Sequence, residues 1–82
     1  MREMDWDEDV WRGLRDAITP MPPFVRRTAL KIIIEASEDF ARERGSDLVQ
    51  EEDLVRAGRE KVPAMARRQM LQALMEAGIE VE

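Results

Sequence analysis

The side chains able to do chemistry in this chain are acids and arginines, because its 82 residues include no His, no Cys and no Tyr. Thiol nucleophiles, zinc sites, iron–sulfur ligation by this chain and His-based acid–base relays are therefore excluded. The acids gather at Asp5, Asp7, Glu8 and Asp9, and again at Glu51, Glu52 and Asp53. The first group could hold a cation, but it lacks the glycine and the spacing of a calcium loop, and acids in a helix's first turn complement its dipole. Glu51 and Glu52 make a poor acid–base pair, since adjacent helical positions point about 100° apart. The residues predict no catalytic group, no metal ligand and no cofactor site.

The cations carry a sharper pattern. Arg26 and Arg27 follow Pro22 as Arg67 and Arg68 follow Pro63. Arg26 and Arg67 fall at the edge of an apolar arc, within the first turn and a half of a predicted helix, where the dipole disfavours a cation. Two roles compete. In one, each stem covers apolar surface while the guanidinium pairs with an acid of another helix, such as Asp7, Asp9, Glu51 or Asp53. In the other, Arg26, Arg27, Arg67 and Arg68 bind an acidic partner surface or a carboxylate ligand. These four are the candidate partner-binding residues.

The elements that position them read as helix, because Ala, Leu, Glu, Arg and Met dominate and Pro falls at only two sites, 20 to 23 and 63. The first helix is expected from about Asp7 to Ala17, capped by Asp5 or Asp7, with Trp6, Val10, Leu14, Ala17 and Ile18 on one stripe. Of its two tryptophans, one anchors the core and Trp11 or Trp6 stays partly exposed. The second starts near Pro22-Pro23 and runs to Arg44, with Gly45 as left-handed cap. Val25, Ala29, Ile32, Ile33, Ala36 and Phe40 share a roughly 100° arc that Leu30, Ile34 and Ala41 widen, so this long helix is central. Its other side, Arg27, Lys31, Glu35, Glu38 and Arg42, is expected to face water and to hold the pairs Lys31–Glu35 and Glu38–Arg42.

Ser46 to Val49 form a short connection with one extended pair of residues. A third helix follows from about Gln50 to Lys61, with Leu54, Val55, Gly58 and Val62 facing the core and Gly58 admitting another helix closely. The fourth, Ala64 to Ala77, ends at Gly78, with Ile79 folding back onto Leu74. The methionines at 1, 4, 21, 65 and 70 are expected to fill core gaps. The fold class is all-α: residues 1–82 as a single small domain, a helical bundle of four helices with a long central second helix.

A repeat runs through this plan. Residues 22–36 and 63–77 share six of fifteen positions at an offset of 41, including both prolines and both Arg pairs, and DVWRG at 9–13 resembles DLVRA at 53–57 at an offset of 44. The physical reading is two helix–turn–helix units that bury their stripes against each other.

A net charge of -5 repels phosphate backbones and argues against nucleic acid as a partner. No segment approaches the roughly 20 apolar residues of a membrane span, and the opening residues are acidic rather than basic and apolar, so a cytoplasmic protein is expected.

Residues 6–63 bear a resemblance. Trp6, Leu14, Pro22-x-Phe24-Val25-Arg26, Glu35, Phe40-Ala41-Arg42-Glu43-Arg44-Gly45, Val49-x-x-Glu52 and Ala57 follow in the order seen in the small helical domain at the C-terminus of the light-independent protochlorophyllide reductase B subunit. That domain, the PCP reductase-like domain, also occurs as short free-standing proteins. Two features depart from its pattern: a Leu14–Pro22 interval about four residues longer, and Gln50 where a Thr or Ser helix cap is usual. Residues 64–82 lie outside the shared motif. The resemblance implies a non-catalytic auxiliary or docking domain in a nitrogenase-like oxidoreductase system of chlorophyll and bacteriochlorophyll synthesis, with reductase subunits as protein partners and the chain itself a monomer or weak homodimer. A rival resemblance spans Ala36 to Ala57, with Gly45, Val49 and Asp53, and is similar to the second half of the histone fold. It implies a module that dimerises by exchanging long helices and that could touch DNA.

Overall fold

In the computed structural model, which describes residues 2–81, a short strand β1 (Asp5–Trp6) leads into α1 (Glu8–Ile18), and the long α2 (Pro23–Glu43) follows. A second short strand, β2 (Leu48–Val49), then precedes α3 (Glu51–Glu60) and α4 (Ala64–Glu76). The all-α fold class is thus observed, with helix limits close to those expected. Met1 lies outside the described residues.

Local chemistry sets each boundary. Asp7 caps α1 by accepting the N–H groups of Asp9 and Val10 at 3.0 and 3.2 Å. Pro22 and Pro63 stand before α2 and α4 with nearly the same backbone angles, φ -57° and -54°. Both helices also end alike, on a glycine with positive φ, 77° at Gly45 and 94° at Gly78. The N–H of Ser46 bonds the carbonyl of Ala41, and that of Ile79 the carbonyl of Leu74, each at 2.9 Å, so carbonyls of the last turns are satisfied. Ile79 is thereby tucked into the core.

The two strands pair in parallel, Asp5 opposite Leu48 and Trp6 opposite Val49. β2 matches the extended pair expected before α3, whereas β1 was not foreseen, because two residues carry no periodicity to read. Around this bridge the helices interleave: α2 packs chiefly on α3, and α1 on α4. Leu14, Ile33, Ile34, Val49, Leu54 and Leu74 are fully enclosed. Trp6 is the buried tryptophan, with Trp11 partly exposed and edge-on to it at 5.3 Å between ring centroids.

The repeat has a structural counterpart in two strand–cap–helix–turn–helix units. Strands, caps and helix starts of the first halves correspond at an offset of 43 (Asp7 with Gln50, Glu8 with Glu51), while the buried stripes of α1 and α3 correspond at 44 (Val10 with Leu54). The second helices correspond at 41, with buried Ile33 matching buried Leu74 and exposed Phe24 matching exposed Met65.

Three expectations are corrected. Glu38 does not face water; it is 3% exposed, because its carboxylate serves as acceptor for the N-terminal segment laid across α2. Its expected ion pair with Arg42 forms at 3.8 Å, while no Lys31–Glu35 ion pair forms among the described residues. Val25 and Ile32, placed in the core arc, are 48% and 41% exposed, since only the C-terminal half of α2 is covered by its neighbours. Gly58 does allow close approach: a Cβ there would sit 3.3 Å from Leu71 Cδ2. The methionines divide between a buried Met70, partly buried Met4 and Met21, and a bare Met65.

Candidate functional site

Three polar assemblies are available for chemistry, and each serves the fold. Glu38 Oε2 accepts from Trp6 Nε1 at 2.9 Å, from the Glu3 N–H at 3.0 Å and from the Met4 N–H at 3.2 Å. Its lone pairs are thus spent on holding β1. At the α2–α3 corner, Arg44 grips Asp53 with two hydrogen bonds, Nε to Oδ1 at 2.8 Å and Nη2 to Oδ2 at 2.7 Å. Asp53 also accepts the Gln50 N–H at 2.9 Å, and the Gln50 side chain accepts from Arg44 Nη2 at 2.9 Å. The hydrogen bond to Asp53 raises the Arg44 pKa, an effect that outweighs its partial desolvation. The Gln50 side chain, at the start of α3, is long enough to reach the guanidinium. The third assembly, Arg56, stacks over the Phe40 ring at 4.0 Å and bonds Glu60 at 2.9 Å.

Asp7, Glu8 and Asp9 serve as helix-start chemistry, Asp7 as the cap and the other two in the first turn of α1, while Asp5 sits in β1; among the described residues no group of three or more His, Cys, Asp or Glu is placed to hold a metal ion. No helix there is long and apolar enough to cross a membrane.

The predicted Arg–acid pairing is not observed. Arg26 is half-buried and donates to the Thr19 carbonyl at 3.4 Å, while Arg27, Arg67 and Arg68 are exposed. None of the four forms an ion pair among the described residues; Asp53 is taken by Arg44, and Asp9 by Arg12 at 3.4 Å. The four arginines also do not converge on one pocket. At about 100° per residue, Arg26 and Arg67 stand beside the facing sides of α2 and α4, and Arg27 and Arg68 on the outer sides. Arg68 borders a separate depression with Leu71, Met75 and Val81.

What lies between those facing sides is the feature that periodicity alone did not reveal. The N-terminal halves of α2 and α4 hardly touch, and the gap between them is an apolar groove of about 330 Å³. Val25, Ala29 and Ile32 line one wall, Ala66 and Met70 the other, and Val62 the end. Lys61 is the one charged lining residue among those described. Phe24 lines it at 83% exposure, with Val25 and Ile32 also exposed; its repeat counterpart Met65, 97% exposed, precedes the lining residue Ala66 without lining the groove itself. Large apolar side chains standing in water in one contiguous place mark an interaction surface. The signal that could have exposed this was length: α4 and α3 are too short to cover a 21-residue α2.

Compared with family models, with curated proteins and with solved structures, the chain matches none of them.

Proposed function

We propose that this chain is a non-catalytic docking domain that works through the groove between α2 and α4, and that its context is a nitrogenase-like reductase related to light-independent protochlorophyllide reductase. The observation that carries the docking reading is the uncovered apolar groove, on a protein whose three polar assemblies are occupied internally. Support for the reductase context is the residue order itself. Pro22-x-Phe24-Val25-Arg26 opens the helix that forms one groove wall, and Gly45, Val49 and Glu52 shape the corner that follows.

The test is a titration of the intact protein, labelled for NMR, with purified subunits of such a reductase. Binding at micromolar concentration that shifts the resonances of Val25, Ile32 and Ala66 is expected. Absence of binding at about 100 µM, a concentration at which even weak encounters register, refutes the reductase context. Turnover by the purified chain refutes the non-catalytic reading.

The histone-like alternative predicts exchange of long helices between copies. Against it, α2 already packs on α3 of its own chain, and β2 is already paired with β1. A sedimentation series from micromolar to sub-millimolar protein separates the two, since helix exchange yields a tight dimer and the docking reading a monomer or weak homodimer.

A further inference from the structure

The groove lies in the most electropositive part of an acidic protein. Residues 17–34 contain Arg26, Arg27 and Lys31, residues 61–75 contain Lys61, Arg67 and Arg68, and neither stretch contains an acid. Those stretches carry +6 and the remainder of the chain -11, giving the net -5. The ion pairs formed among the described residues use Arg12, Arg42, Arg44 and Arg56, so none of the six groove-region cations is neutralised by a partner there. The helix ends add to the field. α1 and α3 begin with acids, whereas α2 and α4 have no acid in the first turn and no capping side chain. Phe24 and Val25 of the first turn of α2 and Pro63 and Ala66 at the start of α4 line the groove, so the positive ends of two helix dipoles add to the positive field at that end.

We propose that the groove takes an amphipathic helix of a partner protein, whose apolar ridge seats between α2 and α4 and whose flanks carry Asp and Glu against Lys31, Lys61, Arg67 and Arg26. This rests on the docking reading above and names the chemistry of its partner. A trough between two helices accepts a third helix's ridge of side chains four residues apart. Cations without an ion-pair partner beside an apolar groove steer and select an acidic flank. A second copy of the same face would set Arg26, Lys31, Lys61 and Arg67 against the same four cations. A bilayer presents a plane rather than a ridge, and an anionic one would repel the -11 remainder of the chain.

The experiment displays a library of helices of about 18 residues, each with a fixed leucine ridge and flank positions varied among Glu, Gln and Lys, against the intact 82-residue protein. Glu-flanked members are expected to enrich. The best of them, resynthesised, binds about tenfold more tightly than its Gln-flanked twin at about 50 mM salt, and the gap closes toward 0.5 M. The double variant Lys61→Gln/Arg67→Gln narrows that gap without moving the melting temperature, and Val25→Asp, at an exposed groove position, removes binding. Enrichment of Gln or Lys flanks, or of no helix at all, overturns the acidic-helix proposal. Self-association abolished by Val25→Asp, or groove-dependent binding to phosphatidylserine vesicles, also overturns it, while leaving groove docking in place. Helix binding that leaves every groove resonance unmoved overturns the docking reading as well.

Discussion

Replacing Glu38 with Ala tests the buried carboxylate most directly. Three N–H groups lose an acceptor, and they are not equivalent: Trp6 Nε1 is enclosed in the core, while the Glu3 and Met4 amides lie in a segment open to water. Stranding the indole donor costs about 1–3 kcal/mol, and the two amides recover most of their loss by hydration. The space vacated beside the tryptophan adds about another 1 kcal/mol, for an expected total of about 2–4 kcal/mol. A domain of this size holds roughly 4–12 kcal/mol of stability, so the melting temperature should fall on the order of 10–20 °C. Glu38→Gln can keep an oxygen at the Oε2 position, with its amide at Oε1, and should cost about 1 kcal/mol. Urea unfolding followed by tryptophan fluorescence measures both variants, and hydrogen exchange at the Trp6 indole reports the bond itself. A loss below about 0.5 kcal/mol for Glu38→Ala, or unchanged indole protection, would refute the clamp reasoning.

Four further outcomes follow from individual side chains. Gly13→Ala places a Cβ 2.5 Å from Ile79 Cδ1 and 2.7 Å from its Cγ1, and should lose about 1–2 kcal/mol in thermal unfolding despite alanine's helix preference; in an Ile79→Ala background most of that penalty should vanish. Asp53→Ala removes both the Arg44 grip and the Gln50 N–H acceptor and should cost about 2 kcal/mol by urea titration. The Arg44 pKa is raised in the folded state, so its contribution is complete below the unfolded value and fades only as pH rises through the folded one; the wild type should therefore exceed Arg44→Gln in stability by a constant margin from about pH 6 to 9. Ser37→Ala should be neutral or stabilise by up to about 1 kcal/mol in the same assay, because the Ser37 hydroxyl is buried with no partner among the described residues.

Helix starts and stops were legible in the residues because caps and glycines act locally. Asp7, Pro22, Gly45, Pro63 and Gly78 each do at short range what their types predict. The same holds for Gly58 and for the fold-back of Ile79. Burial was less legible. A hydrophobic arc states which side of α2 prefers cover, but whether Val25 and Ile32 receive it depends on how far α3 and α4 extend. Glu38 escaped for a related reason, since its partners lie more than 30 residues away, in a segment with no pattern of its own. For the candidate site, the Arg pairs at 26–27 and 67–68 lie on the two helices that flank the groove, although none of the four lines it. The groove between those helices is a gap, and a gap is a property of packing that no single stretch of residues encodes.

The interleaving of the two units bears on how the chain could be divided. α1 rests on α4, α2 on α3 and β1 on β2, so each half finds its principal partners in the other. A cut in the turn at Gly45 would leave two fragments, neither able to hide its oily face alone. Folding would then become a bimolecular reaction whose yield depends on fragment concentration, and the halves would behave as a complementing pair, usable as a reporter for bringing two fused proteins together.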